Sequence, residues 1–245
     1  MKRRLLLLVC ALFLFVGVNA QNKITVAVAA NMQYAIDALK TAFNKHYKVQ
    51  IDVVLGASGK LTQQIIAGAP FDIFISADTA FPTKVQAAGL AVAGPKNYAQ
   101  GVLVLWSARG DIKPDLQLLT SGTVRHIAIA NPATAPYGTA AVNVMKKYQL
   151  YDKVAGKIVT GESITQASQY IASGNAEIGF TAKAIVISDA MKGKGHWVEI
   201  RQQDYAPIRQ AAVLLKKEPA AAAFYAFLFS LEAKKVFEEF GYIVK

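Results

Sequence analysis

Cysteine is almost missing from this chain, with one residue, Cys10, among 245. Cys10 stands inside an apolar run near the N-terminus, so the chain beyond that run has no thiol, and disulfides and thiolate metal sites are excluded for it. Histidine is scarce as well: His46, His126 and His196 are the only ones, and none belongs to an H-E-x-x-H pattern. Lysine and arginine are scattered in ones and twos, as in "VMKKY", "LLKKE" and "MKGKG", without the arginine-rich runs or motifs that a nucleic-acid-binding chain would carry. The longest apolar run, Leu5 to Val18, is shorter than the roughly 18 residues that a membrane span requires. Long repeats and low-complexity tracts are absent too.

That apolar run nonetheless has a meaning. Lys2, Arg3 and Arg4 precede it and the small-residue triplet Val18-Asn19-Ala20 closes it, so residues 1–20 read as a cleaved secretory signal peptide. Cys10 lies mid-run rather than at the end, where lipid attachment would need it. The formal charge is +11, of which Lys2, Arg3 and Arg4 supply three, leaving +8 for the mature chain. This charge reads as a solvated surface; its field can speed the arrival of a small anion.

Beyond residue 20, short β-rich runs alternate with amphipathic helical stretches. "KITVAVAA" is followed by Met32, Ile36, Leu39 and Phe43 on one helical face, "VQIDVVLGAS" by Leu61, Ile65 and Ile66, and "HIAIANP" by a helix through Val142 to Leu150. Such alternation predicts an α/β fold with mostly parallel sheets flanked by helices. The length suffices for two lobes. "AVAGPKNYAQG", Ala91 to Gly101, is expected to be a loop and "RQQDYAPIRQ" a polar break near Tyr205. Taken as the two crossings, they divide the chain into residues 21–100 with 205–245 in one lobe and 101–204 in the other.

Four strand ends run straight into helix starts and carry small or hydroxylated residues there: Ala30-Asn31, Ala57-Ser58, Pro136-Tyr137-Gly138 and Ser163-Ile164. A helix start exposes unpaired N–H groups and a partial positive charge, and open α/β sheets bind ligands beyond the carboxyl ends of their strands. Asn31, Ser58 and Tyr137 add an amide, a hydroxyl and a phenol, all uncharged donors. A cluster of this kind suits a fully ionised oxyanion, whose oxygens only accept. Taken singly, Asn31 and Ser58 are ordinary N-cap types and capping is the simpler reading; their recurrence shifts the balance modestly toward binding. Asp78 reads as a helix cap, and Asp72 has no visible partner. "GASGK" matches neither G-x-S-x-G nor G-x-x-x-x-G-K-[ST]. A secreted serine hydrolase using Ser58 with one histidine and a distant aspartate is the enzymatic alternative.

The segments "ITVAVAAN", "GASGKLTQQIIAGAPFDIFISAD", "IAIANPATAPYGTAA" and "AEIGF", in this order over nearly the whole mature chain, resemble the periplasmic molybdate-binding proteins of ABC importers. The resemblance implies a two-lobed, type II periplasmic binding fold that closes on one tetrahedral oxyanion. It implies a ligand set of the Ala30 N–H, Asn31, Ser58, Tyr137 and the Ile164 backbone N–H. Where many relatives have a ligand tyrosine this chain has Ala182, and Tyr137 is expected to supply that phenol from another loop. Lys60 is expected to turn outward. The implied function is a periplasmic receptor, expected to be monomeric and to use no cofactor. It would bind molybdate and also tungstate and deliver the ion to an inner-membrane ABC permease, with no reaction catalysed and no nucleic-acid partner; a receptor for sulfate or another oxyanion is the alternative within the class.

Overall fold

The computed structural model describes residues 22–244, so the segment read as a signal peptide, residues 1–20, lies outside the described residues. Among the described residues there are ten strands: β1 Lys23–Ala29, β2 Gln50–Gly56, β3 Ile73–Ser76, β4 Ala93–Gly101, β5 Leu103–Ser107, β6 Ile127–Ala130, β7 Ile158–Gly161, β8 Ile178–Ala182, β9 His196–Glu199 and β10 Ile208–Leu214. They form two five-stranded sheets, in the orders β2-β1-β3-β10-β4 and β7-β6-β8-β5-β9. In the first, β1 runs parallel to β2 and β3 while β10 is antiparallel to β3 and β4. The second repeats this plan, with β6 parallel to β7 and β8 and β5 reversed between β8 and β9. Both sheets are therefore mixed. The reversed strand in each is the one that the chain enters directly after crossing from the other sheet.

Helices cover both faces of the central strands, which is why "IFIS", "LVLWS", "IAIA" and "IGFTA" are buried at every position instead of alternating. The helices are α1 Ala35–Asn44, α2 Ser58–Ile66, α3 Ala80–Ala87, α4 Pro136–Lys147, the short α5 Tyr151–Val154, α6 Ile164–Ala172, the short α7 Lys183–Val186, α8 Pro219–Phe227 and α9 Leu231–Glu239. The last two return to the first sheet, where Phe43 of α1 meets Phe224 and Phe227 of α8 edge-on at 5.0 and 5.4 Å.

One expectation is corrected. Ala91 to Gly101 is not a loop: Ala93–Gly101 is the strand β4. Gly94, Pro95 and Asn97 suggest a turn, but β4 is an edge strand, where a residue without an N–H costs no ladder bond. Its pairing with β10 shifts register between Gln210 and Ala211 and again before Leu214, so the irregularity is absorbed as bulges. The first crossing is thus confined to the step from Gly101 to Leu103.

The second crossing follows β9 and is tied down by Asp204. That carboxylate accepts from Lys147 Nζ at 2.8 Å, Tyr148 Oη at 2.7 Å and Arg201 Nε at 3.0 Å. These bonds, with Lys147 first, hold its pKa well below the ordinary 3.8. A carboxylate depressed in the folded state contributes stability above its unfolded pKa and loses it as the pH falls below that value. The melting temperature is therefore expected to drop as the pH is lowered below about 4, and Asp204→Asn to be less stable near neutrality and to show a shallower acid slope. Thermal denaturation across pH 3–7 checks this.

Candidate functional site

The carboxyl ends of β1, β2, β6 and β7 face one another across the gap between the sheets. Each is followed by a helical start. A 3-10 turn, Ala30–Met32, follows β1, and α2 opens at Ser58 after β2. In the second sheet α4 opens at Pro136 after β6, and α6 opens at Ile164 after β7. These starts enclose a cavity of about 10 Å³ whose wall includes Ala30, Asn31, Ser58, Tyr137 and Ile164. The five residues of the expected ligand set thus meet at one place, drawn from both sheets. A void of this size is close to the smallest that admits a water-sized particle. Ala29, Ala30, Ala57 and Ala77 from the first sheet pack into one apolar cluster with Leu103, Ile129 and Tyr137 of the second, so the lobes are closed on it.

None of the described residues that line the cavity bears a charge. The site is built from neutral dipoles. The capping reading of Asn31 and Ser58 does not hold: the cap positions are Ala29 and Ala57, and neither makes a side-chain cap bond. Ser58 Oγ instead accepts from the Ala77 N–H at 3.0 Å, which fixes the hydroxyl and leaves its hydrogen to point elsewhere. At α4, Pro136 occupies the first turn and has no N–H to offer, so the contribution of this helix falls to Tyr137. At α6, Ser163 accepts from the Gln166 N–H at 3.3 Å, leaving the Ile164 N–H at the open helix mouth.

Behind the wall lies a buried amide and phenol network. Gln210 Oε1 accepts from Asn31 Nδ2 at 3.0 Å and from Tyr98 Oη at 2.7 Å, and Gln210 Nε2 donates to Tyr137 Oη at 3.1 Å. Asn31 Nδ2 also donates to Tyr242 Oη at 3.0 Å, and the Tyr242 hydroxyl donates to the Asn31 carbonyl at 3.1 Å. Burial, with smaller effects from neighbouring phenols, pushes Tyr137 and Tyr98 well above the usual tyrosine value, and burial raises Tyr242 as well. All three phenols therefore stay protonated at neutral pH and can donate. Sequence reasoning missed Gln210, Tyr98 and Tyr242, because partners 73 to 211 residues apart leave no local pattern.

Two glycines permit the closed geometry. Gly59 N–H donates to Thr134 O across the gap at 2.9 Å; a Cβ there would stand 2.8 Å from Phe81 Cζ and 2.9 Å from Thr134 Cα. Gly101, at the first crossing, lies under the network: a Cβ would come within 2.0 Å of Tyr137 Oη and 2.6 Å of Gln210 Nε2. A further bond between lobes joins Thr165 Oγ1 to Ala30 O at 3.2 Å.

The remaining candidates lie elsewhere. Lys60 is exposed and borders an outer groove of about 260 Å³. Asp72 does have partners, the Thr25 N–H at 2.6 Å and Lys216 Nζ at 2.8 Å, and ties the start of β3 to its neighbours. Asp78 Oδ1 accepts from the Phe81 N–H at 3.1 Å, as a cap does. Ala182 is fully buried at the end of β8. The histidines pair away from Ser58: His46 with Glu232, His126 with Glu177 and His196 with the Gly110 carbonyl.

Two mixed sheets that close with helix mouths on a small uncharged cavity define a two-lobed periplasmic-type binding protein. The sequence places it further: residues 24–243 match the family described as bacterial extracellular solute-binding protein, and the chain belongs to that family of receptors, which are not enzymes. It is 39% identical over 230 residues to the molybdate-binding protein of Rhodobacter capsulatus, covering 92% of this chain and 90% of that protein. With the molybdate-binding protein of Azotobacter vinelandii it shares 40% over 225 residues, 90% and 89% of the two chains. The solved structure of the periplasmic molybdate-binding protein of Azotobacter vinelandii superposes with a TM-score of 0.85 at 34% identity, covering 91% of this chain and 99% of that one.

The close approach at Gly101 leads to a direct expectation. Gly101→Ala must displace Tyr137 or Gln210, and overpacking of this kind costs about 1–3 kcal/mol. Thermal denaturation should show a melting temperature lower by several degrees, at about 2–4 °C per kcal/mol.

Proposed function

We propose that this protein is the receptor of an ABC importer for molybdate, that it also takes tungstate, and that the ligands are the Ala30 N–H, Asn31, Ser58, Tyr137 and the Ile164 N–H. The observation that carries this reading is the cavity closed between helix mouths of both lobes, with hydrogen-bond donors and no charged side chain in its wall. A dianion with only acceptor oxygens is the complement of such a wall. A hydrogen-bearing anion would need an acceptor for its proton, and the wall offers no carboxylate for it. The likeness to the molybdate-binding proteins of Rhodobacter capsulatus and Azotobacter vinelandii supports the choice of ion.

Residues 1–20 would direct the chain to the periplasm and be removed. Residues 21–100 with 205–245 would then close as one lobe on residues 101–204, burying the ion, and the closed monomer would be the form that the permease recognises. Sulfate is also a dianionic acceptor, so selection against it falls to size. In a socket set for the larger ion, sulfate would leave donors stretched, and buried unpaired donors cost about 1–3 kcal/mol each.

Titration calorimetry with molybdate, tungstate, sulfate and phosphate tests the reading: the first two ions should bind far more tightly than the others. Tighter binding of sulfate would replace molybdate as the ligand. Ser58→Ala should weaken molybdate by about ten- to a hundredfold, the value of a hydrogen bond to a charged partner. Lys60→Ala should change it by about twofold or less. Gly59→Ala should also weaken binding although it removes no donor, because its methyl group obstructs closure; small-angle scattering with molybdate present should give a larger radius of gyration than for the unmodified protein.

A further inference from the structure

Gln210 is completely buried and its amide bridges two side chains of the cavity wall, Asn31 from the first lobe and Tyr137 from the second. Both hydrogens of the Asn31 amide are engaged, by Gln210 Oε1 and Tyr242 Oη. Asn31 Oδ1 is buried without any partner. Tyr137 Oη receives the Gln210 hydrogen, and its own hydrogen has no acceptor among the described residues. In this arrangement, then, Tyr137 is free to donate into the cavity and the Asn31 amide is not.

A carboxamide has one end that only donates and one that only accepts. If Asn31 turns its amide over, Oδ1 faces Gln210, and Gln210 must turn as well, since otherwise two acceptors would meet. Once turned, Gln210 presents Oε1 to Tyr137, and the phenol has to spend its hydrogen there. The Tyr98 hydroxyl accommodates either direction, because it also reaches Ser76 O at 3.0 Å, and the Tyr242 hydroxyl follows by moving its hydrogen from the Asn31 carbonyl to Asn31 Oδ1. Asn31 Oδ1 would then accept where it now has no partner, and the amide hydrogens would take the end of a residue that lines the cavity. Mixed states place donor against donor or acceptor against acceptor. The network has two self-consistent directions, and each frees one wall donor while committing the other.

We propose that Gln210 makes Asn31 and Tyr137 alternative, rather than simultaneous, side-chain donors to the bound oxyanion. This inference rests on the oxyanion-receptor reading above. Gln210 is a positioning residue: it lies behind the wall and acts through the two donors, across the lobes, by fixing the direction of their hydrogens.

The test is a double-mutant cycle read by molybdate calorimetry. It uses the mature protein, Tyr137→Phe, Asn31→Ala and the double variant, and it is repeated in the Gln210→Met background. With Gln210 present, losing one donor lets the network turn and supply the other. Each single variant should weaken molybdate by only about threefold, and the double variant by about tenfold more than the product of the single losses. In the Gln210→Met background the bridge is gone, both donors act independently, and the losses should multiply. A purely structural Gln210 would lower stability without changing the sign or size of this coupling. Should Asn31→Ala fail to fold, the side-chain amide resonances of Asn31 provide the same decision: molybdate should shift them more in Tyr137→Phe than in the unmodified protein. Losses that multiply with Gln210 in place, or equal amide shifts in the two proteins, would overturn the inference. If the unmodified protein binds no oxyanion at all, the receptor reading fails instead.

Discussion

A dianion removed from water without a counter-charge has to recover its solvation from the protein, atom by atom. For the receptor function proposed above, that constraint governs this molecule. Oriented N–H groups at helix mouths, fixed hydroxyls and a protonated phenol can meet it, because each brings a positive hydrogen and no net charge. The two sheets supply the mouths. Since β1, β2, β6 and β7 each end at the gap and each feeds a helical start there, the donors converge without any loop having to fold over the site. The helix mouths are related in physics to a phosphate-binding loop, since both turn backbone N–H groups toward a space where an anion can sit. They differ in having their lysine, Lys60, outside on the surface.

Two halves of a socket on two lobes need a way to meet and a way to keep their geometry. The first crossing is short because β4 runs directly to β5, and Gly101 at that step leaves room for the Tyr137 phenol to reach Gln210. The second crossing is held by Asp204, through Lys147 and Tyr148 at the end of α4 and Arg201 beside it. One helix thus presents a cavity-lining residue at its N-terminus and an anchor for the crossing at its C-terminus. Where the lobes touch, the bonds from Gly59 N–H to Thr134 O and from Thr165 Oγ1 to Ala30 O lie beside the cavity, so the contacts that close the lobes adjoin its wall.

Much of this could be read in the sequence, for reasons that are physical. Buried strands such as "IAIA" and helix faces such as Ile36, Leu39 and Phe43 carry periodicity within a few residues. Strand-to-helix turns mark themselves with small and hydroxylated residues, so Ala30, Asn31, Ser58, Tyr137 and Ile164 were open to detection as a set. What was hidden depends on distant parts of the chain. Ala93–Gly101 looks like a turn because Gly94, Pro95 and Asn97 are turn formers, and only its place at a sheet edge lets them stand in a strand. β9, "HWVE", is exposed at every residue and so shows no alternation. The partner of Asp72, Lys216, comes from far along the chain, and Gln210 is a polar residue in an apolar strand whose purpose is visible only once Asn31, Tyr98 and Tyr137 surround it. Asn31 and Ser58 mislead in the opposite way: both belong to capping types, yet neither side chain caps.

The most direct measurement is a crystal structure of the mature protein grown with tungstate and phased at the tungsten edge. One strong anomalous peak is expected between the lobes, with oxygens within hydrogen-bonding distance of Ser58 Oγ, Tyr137 Oη and the N–H groups of Ala30 and Ile164. A peak elsewhere, or an ion held chiefly by lysine ammonium groups, would contradict the receptor reading.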